Sequence, residues 1–289
     1  MRNVKRNAPT MAILIADSGS TKTDWRIIDA QNNIHQAKTA GLNPYHQSSH
    51  DMAGVLDQEL LPQLTVPIGQ VFFYGAGCAN PAINQTAVQA LKSTFPAAQV
   101  QVESDLLAAA RALCGHEPGI ACILGTGANS CLYDGQTIVD NVPPLGYILG
   151  DEGSGSSIGK ELLNRYLKRD MPEPLRSQFA KRYAPTTEAV LERVYRQPQA
   201  NTYLASFARF AFHHLKHPYV IRLVYDGFRQ FFEKNVRPYE NYQQHKVHFT
   251  GSIAFYYSNV LRQVANDEGF TIQNIVESPI AGLTLYHRA

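Results

Sequence analysis

Short apolar runs recur along the first part of the chain, and the loops that follow them are rich in glycine and hydroxyl side chains. Alternating or continuous apolar runs of four to eight residues predict strands, and longer amphipathic stretches predict helices. The predicted strands are Met11–Ala16, Asp24–Asp29, Ile34–Thr39, Gly69–Tyr74 and Gln99–Glu103. The predicted helices with defined bounds are Asn80–Phe95 and Asp105–Leu113. The pattern predicts the order β-β-β-α-β-α-β-α.

The same pattern then restarts in the second part of the chain. Three strands are predicted first, the last two joined by a turn at Asp134-Gly135, and a long helical region follows. The predicted strands are Gly119–Leu124, Ser130–Tyr133, Thr137–Asn141, Lys246–Phe249 and Ile272–Val276. The predicted helices are Gly153–Lys168, several within Glu173–Pro238, Ile253–Asn266 and Pro279–His287. The sequence therefore predicts a duplicated α/β architecture whose boundary falls within the helix Asp105–Leu113.

Composition fits this picture of two domains. The chain has 289 residues, of which 44% are hydrophobic and 17% charged, enough for two cores. A net charge of +2 gives no indication of a nucleic-acid surface, and no apolar run is long enough to span a membrane. None of the four cysteines forms a C-x-x-C pair, so we expect reduced thiols in a cytoplasmic protein. Met1–Thr10 is interpreted as a flexible leader.

The loop after the first predicted strand is the strongest local signal for chemistry. Small residues let the backbone turn tightly and point successive N–H groups at one spot, which is how phosphate oxygens are bound. The loop consists of Ser18, Gly19, Ser20, Thr21, Lys22 and Thr23. Asp17, which precedes it, could hold Mg²⁺ directly or through water. The alternative is a β-hairpin turn with solvated polar residues.

A second loop of the same kind follows the strand Gly119–Leu124. Its residues are Gly125, Thr126, Gly127, Ala128 and Asn129. Two glycine and hydroxyl hairpins that face each other can clamp the β- and γ-phosphates of one nucleotide. The alternative, two unrelated turns, is less favoured because each loop joins two apolar strands at the same place in its half.

Three further positions carry candidate chemistry. Asp105 begins a helix directly after a strand, where a carboxylate could orient a hydroxyl for phosphoryl transfer or simply favour the helix N-terminus. Asp151 lies in a glycine-rich run before a helix, where it could accept hydrogen bonds from sugar hydroxyls or cap the helix. Gly251 and Ser252 follow a strand, and glycine there permits close approach of a flat ligand such as adenine.

The motifs taken together resemble those of the BadF/BadG/BcrA/BcrD ATPase family, most closely its N-acetylglucosamine kinase branch, within the actin/hexokinase superfamily. The segments that carry the resemblance occur in the family's order and read DSGSTKTDW, ESDLLAAARA, ILGTGANSCLYDG, LGDEGSGSSIGKELL and FTGSIA. The resemblance implies two ribonuclease-H-like domains with a cleft between them. Residues 11–111 with 279–289 would form one domain, and residues 112–278, with a helical insertion, the other.

The resemblance also implies a role for each candidate residue in an ATP- and Mg²⁺-dependent sugar kinase. Asp17 would be the metal-associated aspartate, and Asp105 the base that takes the proton of the sugar 6-hydroxyl. Residues 18–23 and 125–129 would be the two phosphate loops, and Gly251 and Ser252 the adenosine segment. The sugar contacts implied are Asn43, Asp105, Thr126 and Asp151. A homodimer is implied by the resemblance alone.

One departure from the family pattern leaves the sugar open. Kinases of this branch often carry Gly-Trp-Gly before the GDEGS element, where this chain has Pro144-Leu145-Gly146. Loss of an aromatic wall would reshape the pocket around the sugar. The expected substrate is therefore N-acetylglucosamine or a close relative such as N-acetylmuramic acid.

Two other functions compete with the kinase. Some members of the family are ATPases that activate 2-hydroxyacyl-CoA dehydratases through an iron–sulfur cluster, which needs thiolate ligands. Cys78 is predicted to lie in a turn where it could be exposed. The second alternative is a sugar-sensing protein without catalysis, which the presence of both Asp17 and Asp105 disfavours.

Overall fold

The computed structural model describes residues 11–19, 21–78 and 80–288. The predicted leader, Met1–Thr10, and Ser20 of the first loop lie outside the described residues. The described chain divides into two compact units after Gly115. The first unit contains the residues up to Gly115 together with those from Pro279 onward, and the second contains His116–Ser278.

The first unit is built on a five-stranded sheet in the order β3-β2-β1-β4-β5. β1, β2 and β3 are antiparallel neighbours, whereas β4 pairs parallel with both β1 and β5. The carboxyl ends of β1, β4 and β5 therefore meet at one edge. The strands are β1 Ala12–Ser18, β2 Lys22–Ile28, β3 Ile34–Ala40, β4 Ile68–Gly75 and β5 Gln99–Ser104. The helices are α1 Ser49–Val55, α2 Pro81–Thr94, α3 Asp105–Cys114 and α13 Ile280–Arg288, with short helical turns at Leu56–Leu60 and Leu61–Gln63.

Apolar side chains cover both faces of this sheet because its central strands are apolar on both sides. One face packs through Leu14 and Phe73 onto a core that includes residues of α1 and α2. The opposite face forms a smaller buried cluster with α3 and α13; its members are Ile15, Ile28, Tyr74, Ala108, Ile280 and Leu283. The C-terminal helix thus completes the core of the first unit.

The second unit repeats the plan with the sheet order β10-β9-β6-β7-β8. β6, β7 and β8 are antiparallel, and β9 pairs parallel with β6 and β10. The strands are β6 Gly119–Leu124, β7 Ala128–Tyr133, β8 Ile138–Asp140, β9 Val247–Thr250 and β10 Ile272–Val276. The helices are α4 Gly146–Leu149, α5 Gly155–Leu167, α6 Leu175–Tyr183, α7 Thr187–Tyr195, α8 Ala200–Ser206, α9 Ala208–His213, α10 Pro218–Phe231, α11 Ser252–Tyr256 and α12 Ser258–Asp267, with short helical turns at Phe232–Val236 and Tyr242–Gln244.

Helices α5 to α10 lie between β8 and β9 in sequence and contribute many of the buried residues of one large aromatic core. Fully buried rings such as Phe179, Phe228 and Phe249 pack there with aliphatic residues of β6 and α12. Within the part of the chain that the structure describes, no helix has the length and apolar character needed to cross a membrane.

The structure confirms that each half opens with three strands, and it corrects the prediction at two points. Ala128 and Asn129 are strand residues of β7, so the second loop proper is shorter than predicted. The single helix predicted over Ile253–Asn266 is two helices that break at Tyr257, where φ is −102° and ψ is 17°.

Candidate functional site

The first unit gathers its candidate residues at the carboxyl edge of its sheet. Asp17 is the penultimate residue of β1, and it lies in register with Tyr74 of β4, which in turn lies in register with Glu103 of β5. Ligands of open α/β sheets bind at this edge, beyond the carboxyl ends of parallel strands. Asp105 follows β5 at once and is the first residue of α3.

The helix α3 begins where it does because Ser104 caps it. The Ser104 Oγ accepts a hydrogen bond from the Leu107 N–H at 3.2 Å, which leaves Asp105 in the first turn. Burial raises the pKa of the Asp105 carboxyl to about 6. A hydrogen bond from the Leu106 backbone favours the charged form and opposes this rise, but its effect is smaller. A carboxylate whose pKa lies near neutrality suits a general base.

Cys78 lies close to this carboxylate. Burial raises the pKa of the Cys78 thiol to about 12, and the negative charges of Asp105 and Glu103 add to the effect. The side chain is 2% exposed, so the expectation that Cys78 could be exposed is wrong. All four cysteines are buried.

Two hydroxyl side chains of the first loop, those of Ser18 and Thr23, point into the protein. The Ser18 and Thr23 hydroxyls lie 2.7 Å apart, and Ser18 Oγ donates to the Leu42 carbonyl at 2.9 Å. Lys22 extends to the Asp24 carboxylate at 2.9 Å. The backbone closes a tight turn in which the Gly19 N–H donates to the Lys22 carbonyl at 3.0 Å. Asp24, which sequence reasoning missed, therefore restrains the only lysine of this loop.

Asn43 packs against the turn that follows β4. It is 7% exposed, and its Oδ1 accepts a hydrogen bond from the Tyr45 N–H at 3.0 Å. Gly77 has a φ of +85°, and a Cβ there would lie 2.5 Å from Asn43 Oδ1, so only glycine fits. The Ala76 N–H donates to the Ser18 carbonyl at 2.9 Å. Asn43 thus contacts the Gly77 turn, and a backbone hydrogen bond joins that turn to the first loop.

In the second unit, the loop Gly125–Gly127 is held from one side by the start of α5. The Gly155 N–H donates to the Gly125 carbonyl at 2.8 Å, and the Ser156 N–H donates to the Thr126 carbonyl at 3.0 Å. Asp151 holds the loop from another direction, because its Oδ1 accepts a hydrogen bond from the Ala128 N–H at 3.0 Å. Burial raises the pKa of the Asp151 carboxyl, although the Ala128 hydrogen bond opposes this.

Asn129 and Gly251 also lie at this edge of the second sheet. Asn129 Oδ1 accepts hydrogen bonds from the Ser130 N–H at 2.9 Å and from Asn141 Nδ2 at 3.1 Å. Gly251 has a φ of +109°, and a Cβ there would collide with the Leu124 carbonyl. The turn after β9 therefore lies directly against the start of the glycine loop.

A cavity of about 510 Å³ opens beside Ser252. Its lining includes Arg209, Phe212, His213, Ser252, Ile253 and Tyr256. The rings of Phe212 and Tyr256 meet edge to face with their centroids 5.7 Å apart, and they form an aromatic wall. Sequence reasoning found the glycine and serine at this cavity but missed the wall, because its residues come from separate helices.

The donor set fits a magnesium ion that arrives with a nucleotide. Among the described residues, no group of three or more histidine, cysteine, aspartate or glutamate side chains could hold an ion by itself. Mg²⁺ in phosphoryl-transfer sites takes one or two carboxylates and completes its shell with phosphate oxygens and water. Asp17, half-buried at the sheet edge, offers such a carboxylate.

Comparison with solved structures identifies relatives over nearly the whole chain. A candidate N-acetylglucosamine kinase from Porphyromonas gingivalis is 45% identical, covers 95% of this chain and 98% of its own, and has a TM-score of 0.89. A second one, from Chromobacterium violaceum, covers 96% and 99% at 17% identity and a TM-score of 0.75. A non-polymerising mutant of MamK bound to AMPPNP covers 97% and 99% at 14% identity and a TM-score of 0.54. No protein-family model and no curated protein matches the chain.

These likenesses define the class of protein: the fold is that of the actin-like ATPases, with two ribonuclease-H-like domains. The expected fold class is confirmed. The chain belongs to the BadF/BadG/BcrA/BcrD ATPase family, in its N-acetylglucosamine kinase branch.

Proposed function

We propose that the chain is an ATP-dependent kinase that phosphorylates the 6-hydroxyl of N-acetylglucosamine or a close relative such as N-acetylmuramic acid. The observation that carries the proposal is Asp105, a carboxylate at the carboxyl edge of the first sheet whose pKa is raised to about 6. The 45% identity to a candidate N-acetylglucosamine kinase supports the choice of substrate class. We place the protein in the cytoplasm, where its four buried thiols would stay reduced.

In this proposal the first unit binds the sugar and supplies the base. Asn43 and Asp105 contact the sugar, and the Asp105 carboxylate accepts the proton of the 6-hydroxyl as that oxygen attacks the γ-phosphorus. The bond from the γ-phosphorus to the bridging oxygen breaks, and ADP leaves with that oxygen. Asp17 would hold Mg²⁺, which neutralises charge on the phosphate oxygens.

The two glycine loops would bind phosphates mainly through backbone N–H groups. In the first loop the Ser18 and Thr23 side chains point inward, so we assign the phosphate contacts to the backbone and to the side chains of Ser20, Thr21 and Lys22. In the second loop, Gly125 to Asn129 would bind phosphate, and the exposed Thr126 would also contact the sugar. The second carboxylate oxygen of Asp151 is assigned to a sugar hydroxyl.

The nucleoside would occupy the cavity beside Ser252. Glycine at 251 brings the backbone close to the glycine loop, so a nucleotide with its phosphates at Gly125–Gly127 would extend toward this cavity. The Phe212 and Tyr256 wall offers a stacking surface for a base. A volume of about 510 Å³ is within the usual range for small-molecule pockets.

The structure does not favour the dehydratase-activator alternative. A cluster shared between protein molecules needs accessible thiolates, whereas all four cysteines are buried and the Cys78 thiol has a pKa raised to about 12. A homodimer remains a part of the proposal that rests on the family resemblance.

A coupled assay of ADP release tests the function. Mg·ATP would be offered with N-acetylglucosamine, N-acetylmuramic acid, N-acetylmannosamine, glucosamine and glucose. We expect strong turnover with one N-acetylated sugar and little with the others. ATP hydrolysis at one slow rate with every sugar would contradict the proposal and favour the activator type of ATPase.

A further inference from the structure

The Asp151 side chain lies against the second glycine loop and not in solvent. Its carboxylate accepts a hydrogen bond from the Ala128 N–H at 3.0 Å, and the residue is only 8% exposed. Its φ is +56°, in the left-handed region that is costly for a residue with a Cβ. The surrounding structure therefore holds Asp151 in a conformation that directs the carboxylate at this loop.

Gly127 makes room for that carboxylate. A Cβ at Gly127 would lie 3.1 Å from each of the two Asp151 carboxylate oxygens, which is tighter than ordinary contact. The glycine at position 127 therefore leaves the space that the Asp151 carboxylate occupies. Any side chain at 127 would displace the carboxylate, the loop or both.

The residues after Asp151 fix the same loop from a second side. The Ser154 N–H donates to the Asp151 carbonyl at 3.1 Å, and the next two N–H groups, of Gly155 and Ser156, donate to loop carbonyls. Residues 151–156 thereby contact residues 125, 126 and 128 in turn. This one segment therefore holds the loop at three of its residues.

We propose that Asp151 is a positioning residue for the second phosphate loop, so that its loss weakens nucleotide binding. The inference rests on the proposed function, in which this loop binds nucleotide phosphates. A carboxylate cannot attract phosphate, since both are negatively charged. Its contribution to nucleotide affinity is therefore conformational: it fixes Ala128 and Gly127 in the geometry that the loop needs.

The test is the affinity of the full-length chain for Mg·ADP, measured by calorimetry in Asp151→Ala and Asp151→Asn. Asp151→Ala is expected to weaken binding about tenfold, the effect of losing one hydrogen bond to a charged group. Asp151→Asn keeps an oxygen acceptor for the Ala128 N–H and is expected to lose less than about threefold. Glu161→Gln removes an exposed carboxylate of α5 that pairs with Arg165, and it should leave the affinity unchanged.

A double-mutant cycle with Gly127→Ala tests the contact itself. In the otherwise native chain, the added Cβ crowds the Asp151 carboxylate, and we expect about tenfold weaker Mg·ADP binding. In the Asp151→Ala background the carboxylate is absent, so the same change should cost less than about threefold. If Gly127→Ala weakens Mg·ADP binding equally in the native and the Asp151→Ala backgrounds, the added Cβ does not act through the Asp151 carboxylate, and the proposed contact is contradicted. Thermal melting of each variant checks that it is folded. If Asp151→Ala does not fold, the Mg·ADP affinities of Asp151→Asn, of Gly127→Ala and of the two combined still decide whether Asp151 positions the loop.

The possible results separate this inference from the proposed function. Unchanged Mg·ADP affinity in Asp151→Ala overturns the inference, and a raised KM for the sugar alone would then identify Asp151 as a sugar contact only. A native chain that binds Mg·ADP but phosphorylates no sugar overturns the kinase proposal, while the affinity of the variants still decides the role of Asp151. A native chain that binds no nucleotide overturns both.

Discussion

At the scale of single residues, the proposed site depends on a carboxylate, that of Asp105, which the fold makes less acidic. Asp105 is placed in the first turn of α3 by the Ser104 cap, and burial raises the pKa of its carboxyl to about 6. The raised pKa brings the carboxylate closer to the pH at which the reaction runs, where a base is most effective. Two consequences can be measured, one on activity and one on stability.

The first prediction concerns the pH dependence of turnover. The Asp105 carboxylate must be deprotonated to accept the proton, so kcat/KM should fall about tenfold per pH unit below about pH 6. Asp105→Asn should lose roughly 100- to 10,000-fold in kcat, the usual contribution of a general base. The coupled ADP-release assay measures both. Near-native turnover in this variant would rule out Asp105 as the base.

Asp105→Asn should also change stability, and this checks the pKa independently of activity. The pKa is about 6 in the folded state and 3.8 when the carboxyl is fully solvated. The folded state binds more protons between these values, so stability is lost as pH rises through them, by about 3 kcal/mol in all. The asparagine removes this cost. Its Tm gain over the native chain should therefore be larger at pH 8 than at pH 4, and equal gains would contradict the raised pKa.

A second prediction concerns Thr250, the last residue of β9. It is 3% exposed, and its hydroxyl has no hydrogen-bond partner among the described residues. A buried hydroxyl without a partner costs about 1–3 kcal/mol, so Thr250→Val should raise the free energy of unfolding by about 1 kcal/mol or more. Urea unfolding measures the change.

Thr284 provides the matched control. It is 4% exposed, but its hydroxyl donates to the Ile280 carbonyl at 2.7 Å. Thr284→Val removes a satisfied hydrogen bond and should lower the free energy of unfolding by about 1 kcal/mol. If both substitutions change the free energy of unfolding in the same direction, the missing hydrogen-bond partner of Thr250 does not explain its effect.

At the scale of elements, the C-terminal helix α13 is fastened to the first sheet by a buried polar network. The Arg111 guanidinium donates to the Tyr74 hydroxyl oxygen at 2.8 Å, and that hydroxyl lies 2.8 Å from His287 Nε2. Burial lowers the pKa of His287 to about 4, so at neutral pH its ring is uncharged and can accept the Tyr74 O–H. The His287 ring also stacks on Phe72 with centroids 3.9 Å apart.

The third prediction follows from the pKa of His287. Burial, aided by the charge of Arg111, lowers it to about 4, from 6.5 in a solvated histidine. The unfolded chain binds the extra proton between these values, so stability present at pH 7 should fall by up to about 3 kcal/mol as pH drops from about 6.5 to 4. His287→Phe keeps the stacking but cannot titrate. Its unfolding free energy should depend less on pH over this range, as measured by urea unfolding at each pH.

His50 on α1 is the control for this measurement. It is exposed, and His50→Phe is measured over the same pH range as a matched substitution at the surface. A pH profile that is the same in His287→Phe and in the native chain would show that His287 is not buried in the neutral form.

The elements themselves were largely predictable, because strand periodicity and glycine-rich loop ends are local properties. The break at Tyr257 was not predictable from the sequence, since apolar spacing continues across it; in the structure the Tyr257 hydroxyl donates to the Ala208 carbonyl of α9. The candidate residues of the site were likewise predicted from motifs. The direction of their side chains was not, because the inward hydroxyl of Ser18 depends on the distant Leu42 and the inward carboxylate of Asp151 on a positive φ.

At the scale of the whole molecule, one plan appears twice. Each unit has three antiparallel strands followed by two parallel ones, and in each the candidate loop follows the first strand. The units differ in what is inserted: β8 and β9 are separated by the helices α4 to α10, whereas β3 and β4 are separated by one short helical segment. The insertion supplies Phe212 and Arg209 to the lining of the cavity, whereas Tyr256 comes from α11 after β9, so the proposed nucleoside pocket lies partly in the part that is not duplicated.

The return of α13 to the first unit has a consequence for synthesis on the ribosome. Ile280 and Leu283 complete the buried cluster around Ile15 and Tyr74, yet they follow the whole second unit in sequence. Domains usually complete their folding in the order in which they emerge. Here the second unit leaves the ribosome whole before the first has received its last helix. The first unit therefore stays incomplete until the second has been made, and a chain truncated before Ile280 loses part of the unit that was made first.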